Sequence, residues 1–144
     1  MLEIPRQSTS VSVCSLLSTF LSQPQMLNCS LCQSGVQASY VVTPGNFTIL
    51  GINRIQYCDR QQQPLVKTKL SEDRSNGIGN NVLGTLISVA SHIDGGRGHW
   101  ISYHRVGPNW ISNSDNQPIA RHVNHPFHTL NPDETPDVLF FANS

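Results

Sequence analysis

Charged residues are scarce in this chain of 144 residues, where they make up 12% of the total. Nine Lys and Arg residues balance nine Asp and Glu residues, so the formal net charge at pH 7 is zero. Proteins that bind nucleic acid or an anionic membrane surface by electrostatics carry a basic excess. The composition therefore predicts that the protein binds neither nucleic acid nor a membrane.

Long apolar runs are also missing, and no stretch approaches the roughly 20 residues that span a bilayer. The first ten residues hold polar and acidic groups where a secretory signal would have a basic start and an apolar centre. These features predict an intracellular protein, in the cytoplasm and/or the nucleus. In that reducing setting we expect the four cysteines to be thiols or metal ligands rather than disulfides.

Apolar residues make up 38% of the chain, enough for one modest core. Ser10 or Ser12 is placed to cap a helix that ends near Leu21, because apolar residues recur at helical spacing in this segment. One helix followed by many strands predicts an α+β fold with a mostly antiparallel sheet. The predicted strands after the helix cover residues 37–42, 47–54, 66–70, 82–90 and 137–142.

The most informative segment begins at Gly98-His99-Trp100 and ends at Ser114-Asp115-Asn116. Two runs of large and β-branched residues flank Gly107-Pro108-Asn109, which predicts a β-hairpin with a three-residue turn. Antiparallel pairing about the turn sets residue 99 opposite about residue 117, and a diagonal contact or a bulge brings His99 near residues 114 to 116. The hairpin would thus place an imidazole beside a hydroxyl, a carboxylate and an amide. In nucleophilic catalysis, a neighbouring group of this kind orients the general base. The competing interpretation is a polar histidine at a strand edge.

Six segments, taken in order, resemble the C-terminal part of the catalytic domain of ubiquitin-specific proteases. The resemblance covers nearly the whole chain. The order of the six segments and the spacing between them are more specific for the family than any one segment. Asn53-Arg54-Ile55 departs from the family's Lys-Arg-Phe at two residues, and Trp100 stands for the usual Tyr. The six segments are the helix from Val13 to Phe20, the knuckle Cys29-x-x-Cys32, the strand from Thr48 to Arg54, the histidine box that ends in Gly98-His99-Trp100, Trp110 with Ser114-Asp115, and the strand from Asp137 to Phe141.

The resemblance implies a papain-like cysteine peptidase fold, to which this chain contributes the palm and part of the fingers. Residues 1–70 would form fingers and part of the palm, and residues 82–144 would form the palm with the histidine box. Together they would be one partial catalytic domain, residues 1–144, that acts on ubiquitin or a related modifier such as SUMO.

The resemblance also implies roles for individual residues. His99 would be the general base, and Asp115 would be the neighbour that assists catalysis. Ser114 would occupy the position of the third catalytic residue, where most relatives have Asp or Asn and a minority have Ser. If the register shifts by one residue, Asp115 becomes the partner of His99 instead. Gly98 and Trp100 would bind substrate in the narrow channel that admits the Gly-Gly tail of the modifier: Gly98 would allow close approach to the backbone, and Trp100 would form a wall.

The family nucleophile lies in a Gly-Asn-Thr-Cys-Tyr type of box, and no such stretch occurs in these residues. Three interpretations follow: the histidine-bearing part of a deubiquitinating enzyme, an inactive pseudoenzyme that binds ubiquitin or SUMO, or a truncated remnant that folds poorly. Cys29 and Cys32 would be half of a zinc site whose second pair lies upstream. No cofactor is therefore expected for this chain, and structural zinc only for a complete parent domain.

Overall fold

The structure is a computed structural model of the chain. It describes residues 1–144 except 5–9, 41, 44, 55–56, 59–60, 63–67, 73–81, 94–98, 115–116, 124, 129–133 and 144. The described residues form one helix and thirteen strands. Among them, no helix has the length and apolar character that crossing a bilayer requires.

The helix α1 covers Val13–Ser22 and begins where the sequence places a cap. The Ser12 hydroxyl accepts a hydrogen bond from the Ser15 backbone N–H at 3.2 Å, which satisfies one amide group at the helix start. One face of the helix is buried through Val13, Cys14, Leu16 and Leu17. The expected helix is therefore confirmed, and Ser12 rather than Ser10 is its cap.

The strands occupy most of the remaining described chain, and several are only two to four residues long. In chain order they are β1 (Leu2–Glu3), β2 (Ser10–Ser12), β3 (Gln25–Asn28), β4 (Gly35–Ala38), β5 (Phe47–Asn53), β6 (Tyr57–Cys58), β7 (Gln61–Gln62), β8 (Lys69–Ser71), β9 (Thr85–Ile93), β10 (Trp100–Val106), β11 (Asn109–Ser114), β12 (Gln117–Val123) and β13 (Glu134–Ala142).

Seven strands form the main sheet, in the order β1-β5-β13-β9-β10-β11-β12. Its pairs are antiparallel except that of β1 with β5, which is parallel. Three small sheets accompany it: parallel β2–β8, antiparallel β3–β4 and antiparallel β6–β7. The expected α+β class with a mostly antiparallel sheet is confirmed at this level.

The core lies on one face of the main sheet, because side chains alternate between the two faces of a strand. Leu50, Val89 and Leu139 from three neighbouring strands are buried there and join one cluster with Leu16 and Leu17 of α1. The opposite face is open, and Phe47 and Ile49 remain 68% and 63% exposed. The helix and the sheet thus form two layers that bury a single face of the sheet.

Three sequence predictions need correction. The strand at residues 47–54 is second from the edge of the sheet, whereas its apolar run suggested a central position. The strand predicted at residues 37–42 is Gly35–Ala38 and pairs with Gln25–Asn28, which has no strong apolar alternation and was not predicted. The strand β12 was also missed, since polar residues and histidines interrupt its pattern.

Candidate catalytic site

The hairpin of β10 and β11 sets the geometry of the site. Val106 pairs with Asn109, so the loop contains two residues, Gly107 and Pro108, instead of the expected three. Gly107 has a φ of +60°, while the proline ring fixes a negative φ at the second position. This combination is a type II′ turn, whose twist matches that of the strands and aligns them in register. At the far end of the hairpin, Ile101 then lies opposite Ser114.

His99 lies immediately before β10, and its ring reaches diagonally across the hairpin. Its Nε2 atom forms a hydrogen bond with the Ser114 hydroxyl, and both side chains are partly buried. The His99 carbonyl oxygen accepts a hydrogen bond from the Ile93 backbone N–H at 2.9 Å, which ties the residue to β9. The structure therefore brings together two of the predicted site residues. Gly98 and Asp115 lie outside the described residues.

The bond to Ser114 allows either nitrogen of the neutral His99 ring to carry the proton. A neutral imidazole carries one proton. If Nε2 carries it and donates to the Ser114 oxygen, then Nδ1 has a lone pair that can accept a proton from a nucleophile. The serine oxygen also accepts from the imidazolium once it forms, although a neutral hydroxyl stabilises that cation less than a carboxylate does. The pair can act as a general base and its orienting residue.

Ser114 of this pair lines an open cleft of about 540 Å³. Ala90, Trp100, Ile101, Ser102, Asn113 and Ser114 line it. The Trp100 side chain is 45% exposed, so an aromatic surface faces the cleft beside the histidine. A larger cleft of about 750 Å³ lies near α1 and β3, and its lining includes none of the predicted site residues. The smaller cleft is the better candidate because Ser114, the hydrogen-bond partner of His99, lines it.

A second histidine lies on the other side of Trp100. The His92 Nδ1 atom is 2.6 Å from Asp137 Oδ2, and its ring contacts the Trp100 ring. Pro136 pairs with Ser91 of β9, and Val138 pairs with Ala90, the neighbour of Ser91. Asp137 therefore has no partner of its own in β9 and is the extra residue of a bulge in β13. A bulge redirects a side chain out of the regular alternation. In β13 it turns the carboxylate toward His92.

The carboxylate of Asp137 also faces a buried arginine. Arg54 is 3% exposed and donates hydrogen bonds to the carbonyl oxygens of Pro136 and Thr68. Its Nε atom is 3.3 Å from Asp137 Oδ1, but the N–H points to Pro136, so this contact is charge pairing rather than a directed hydrogen bond. Burial lowers the pKa of Arg54, and the neighbouring carboxylate opposes that shift. Arg54 stays charged, because an arginine does not lose its proton in proteins.

A third histidine contacts a serine on the exposed part of the sheet, without the geometry of a base. The Ser88 hydroxyl donates to the Tyr103 carbonyl oxygen at 2.8 Å and lies 3.1 Å from His104 Nδ1. Since the hydroxyl has a single proton, it can only accept from the imidazole. His104 therefore cannot take a proton from Ser88 in this arrangement.

Cys29 and Cys32, the candidate zinc ligands, lie in the turn between β3 and β4. The Cys29 N–H donates to the Ser34 carbonyl oxygen at 3.0 Å, and Gln33 has a φ of +55°. The Ser34 hydroxyl lies 2.6 Å from Cys32 Sγ. Hydrogen bonds from the Ser34 side chain and backbone, and then from Cys29, lower the pKa of Cys32 to about 7. This favours the thiolate form that a metal would bind.

The zinc interpretation remains that of a half-site. A structural zinc ion takes four ligands, and this turn supplies two. In the part of the chain that the structure describes, no group of three or more His, Cys, Asp or Glu side chains is arranged to hold a metal. The residues present therefore do not fit a complete zinc site, and no chemistry of the candidate catalytic site depends on one.

Sequence reasoning did not anticipate the pairing of His92 with Asp137. The two residues are 45 positions apart, and no local spacing connects them. One signal was available, because a proline inside a strand pattern, here Pro136, indicates an edge or a bulge. The buried Arg54 had no comparable signal, since it stands at the end of an apolar strand and its partners lie far along the chain.

No protein-family model matches this chain, and no curated protein matches it at a significant level. The resemblance to ubiquitin-specific proteases therefore rests on the six sequence segments alone.

Proposed function

We propose that this chain is the histidine-bearing part of a cysteine peptidase of the ubiquitin-specific protease family. It would hydrolyse isopeptide bonds between ubiquitin, or a related modifier, and its conjugates, in the cytoplasm and/or the nucleus. The fold would be the palm and part of the fingers of a papain-like domain. The observation that carries the proposal is the hydrogen bond between His99 Nε2 and Ser114, formed across a hairpin beside an open cleft.

In this mechanism a thiol from outside these residues transfers its proton to His99 Nδ1. The thiolate attacks the isopeptide carbonyl carbon, and the imidazolium, which Ser114 orients, returns the proton to the leaving lysine amine. Water then hydrolyses the thioester, with His99 again taking a proton. Trp100 is exposed at the cleft and would form one wall of the channel for the Gly-Gly tail, while Gly98 would allow the tail to approach the backbone closely. Asp115 would assist, or would replace Ser114 as the partner.

One observation favours a second candidate, a pseudoenzyme that binds ubiquitin or SUMO without cleaving it. The cysteines with described side chains are not placed as nucleophiles for His99. Cys14 is 3% exposed inside α1, and Cys29 and Cys32 lie in the turn of a separate two-stranded sheet. A protein that contains these residues and has no further thiol would keep the cleft but could not form the thioester.

The test uses the native protein that contains this chain and a fluorogenic ubiquitin amide. We expect His99→Ala to lower kcat/KM by at least about 100-fold, because a positioned general base contributes that much. The matched control is His104→Ala, which removes a histidine from the same strand and should leave the rate unchanged. Equal losses in both variants would contradict the assignment of His99.

The same preparation separates the two candidates. Intact-protein mass spectrometry shows whether the native polypeptide exceeds the 15.9 kDa of this chain and carries another cysteine-bearing segment. A larger mass with hydrolysis supports the peptidase. No hydrolysis, together with binding of ubiquitin or SUMO that Trp100→Ala weakens, supports the pseudoenzyme. If the protein showed no hydrolysis and no binding, both candidates would be contradicted.

A further inference from the structure

The strand β5 has an open edge over most of its length. On one side, residues 47–51 pair with β13 without a bulge. On the other side, β1 pairs only with Ile52 and Asn53. No described strand lies beside the segment from Phe47 to Leu50 on that side. An edge of this kind presents backbone donors and acceptors that can pair with another strand.

The backbone groups that face this edge can be assigned. The Ile4 N–H donates to the Asn53 carbonyl oxygen, so the backbone N–H and C=O groups of Asn53 face the side on which β1 lies. Backbone groups alternate in direction along a strand, and Ile49 and Phe47 therefore point to the same side. Asn143 N–H donates to the Asn46 carbonyl oxygen on the opposite side, which agrees with this assignment. Among the described residues, none forms a hydrogen bond with Phe47 or Ile49 across the open edge.

The side chains at this edge are apolar and exposed. Phe47 is 68% exposed and Ile49 is 63% exposed, and they lie beside Ala142 and Phe140 of β13 on the open face of the sheet. Natural edge strands are usually protected by a lysine, a proline or a bulge. The strand Phe47–Asn53 has none of these.

We propose that this edge pairs with the same edge of a second copy of the chain, antiparallel, about a two-fold axis at Thr48. The two sheets then continue through the pair of β5 strands. This proposal does not depend on the proposed function, because the edge lies at the opposite end of the sheet from β10 and β11.

The sequence of the edge is complementary to itself in this register. Phe47 lies opposite Ile49 of the second copy, and Ile49 lies opposite its Phe47, so both outward-facing residues form hydrogen-bonded pairs. Each pair forms two backbone hydrogen bonds, and in each pair the aromatic ring of Phe47 packs on the β-branched side chain of Ile49. Cross-strand pairs of this type stabilise a sheet. Thr48 lies opposite Thr48 on the other face, which is a further favourable pair.

Charge does not oppose the association. Residues 47–53 of β5 and 138–142 of β13 include no charged side chain, and the chain has a formal net charge of zero. Two identical copies therefore meet without repulsion at this edge. The contact involves few residues, which places it among small interfaces that exchange readily. We expect a reversible dimer at micromolar concentrations rather than a permanent one.

The first test is sedimentation velocity of the intact chain over a range of micromolar concentrations. We expect a monomer–dimer equilibrium, and Ile49→Lys should raise the dissociation constant by at least about tenfold, because it places a charge in both cross-strand pairs. The matched control is Leu31→Lys, which adds the same charge at a residue 94% exposed in the turn between β3 and β4. Leu31→Lys should leave the equilibrium unchanged.

The second test reads the register directly. Thr48→Cys places two thiols at a non-hydrogen-bonded pair, where Cα atoms of opposite strands are about 4.5 Å apart and a disulfide can form. Mild oxidation should give a covalent dimer linked through residue 48, identified by mass spectrometry of the linked peptide. A monomeric wild-type chain, a dimer insensitive to Ile49→Lys, or a dimer with no link at residue 48 would each overturn the proposal.

Discussion

Two histidines flank Trp100, and different partners hold them. His92 on β9 lies 2.6 Å from the Asp137 carboxylate, which also pairs with the buried Arg54. His99, just before β10, bonds instead to the neutral hydroxyl of Ser114. A carboxylate is the stronger partner for an imidazole, so partner strength alone would select His92 as the base.

The surroundings of the two rings favour His99 as the base instead. The ring of His92 is covered by Trp100, and its carboxylate partner belongs to a network that joins β13 to the end of β5. His99 has the weaker partner but lies where Trp100 and Ser114 border the cleft. The comparison indicates that the charged pair stabilises the fold, whereas the hydroxyl-bound histidine is available for chemistry.

The largest expected effect comes from breaking the charged pair. Asp137→Asn leaves Arg54 buried with its charge uncompensated, and we expect the free energy of unfolding to fall by about 3 kcal/mol. Ser114→Ala removes one hydrogen bond at a partly buried site and should cost about 1 kcal/mol. Urea unfolding of the intact chain measures both values. Equal losses would remove the distinction between the two histidines.

A smaller effect is expected on catalysis, and it distinguishes the two partners that the sequence allows. In the native protein, Ser114→Ala should lower kcat about tenfold, because His99 loses its orienting bond. Ser114→Asp should restore or raise kcat, since a carboxylate stabilises the imidazolium better. Asp115→Ala is the matched variant. If it abolishes activity while Ser114→Ala does not, Asp115 is the partner of His99.

The smallest effect appears only at alkaline pH, in a pair that joins β10 to β13. The Tyr103 hydroxyl donates to Glu134 Oε1 at 2.6 Å, and burial, with Glu134 adding to it, raises the pKa of Tyr103 well above its usual value. Above pH 10 an unfolded tyrosine loses its proton while native Tyr103 keeps it. The free energy of unfolding should therefore fall as pH rises, by up to about 1.4 kcal/mol per pH unit.

The measurement for this pair is urea unfolding between pH 9 and about pH 11, within the range where the unfolded tyrosine titrates. Tyr103→Phe should reduce the slope and also lower stability at neutral pH, because buried Glu134 loses its donor. Tyr40→Phe, which alters a tyrosine 39% exposed, should leave the slope unchanged. An unchanged slope in Tyr103→Phe would show that this pair does not control the alkaline behaviour.

Local features were predictable because neighbouring residues determine them. The cap at Ser12, the helix that follows it, and the hairpin that brings His99 to Ser114 all depend on contacts within about twenty residues. The turn was a local error, as was the missed hairpin of β3 and β4. A glycine before a proline also suits a two-residue type II′ loop, and this choice shifts the register of the hairpin so that Ile101 lies opposite Ser114.

The amino-acid sequence by itself therefore determined the fold class, the helix and the histidine hairpin. Only the tertiary structure decided that β13 lies between β5 and β9, that Asp137 reaches His92, that Arg54 is buried, and that β5 keeps an open edge. The physical reason is sequence separation. Strand order and buried ion pairs join residues that are far apart in the chain, such as Phe47 with Ala142 and Arg54 with Asp137. The side-chain alternation of a strand indicates its buried face but not its neighbours.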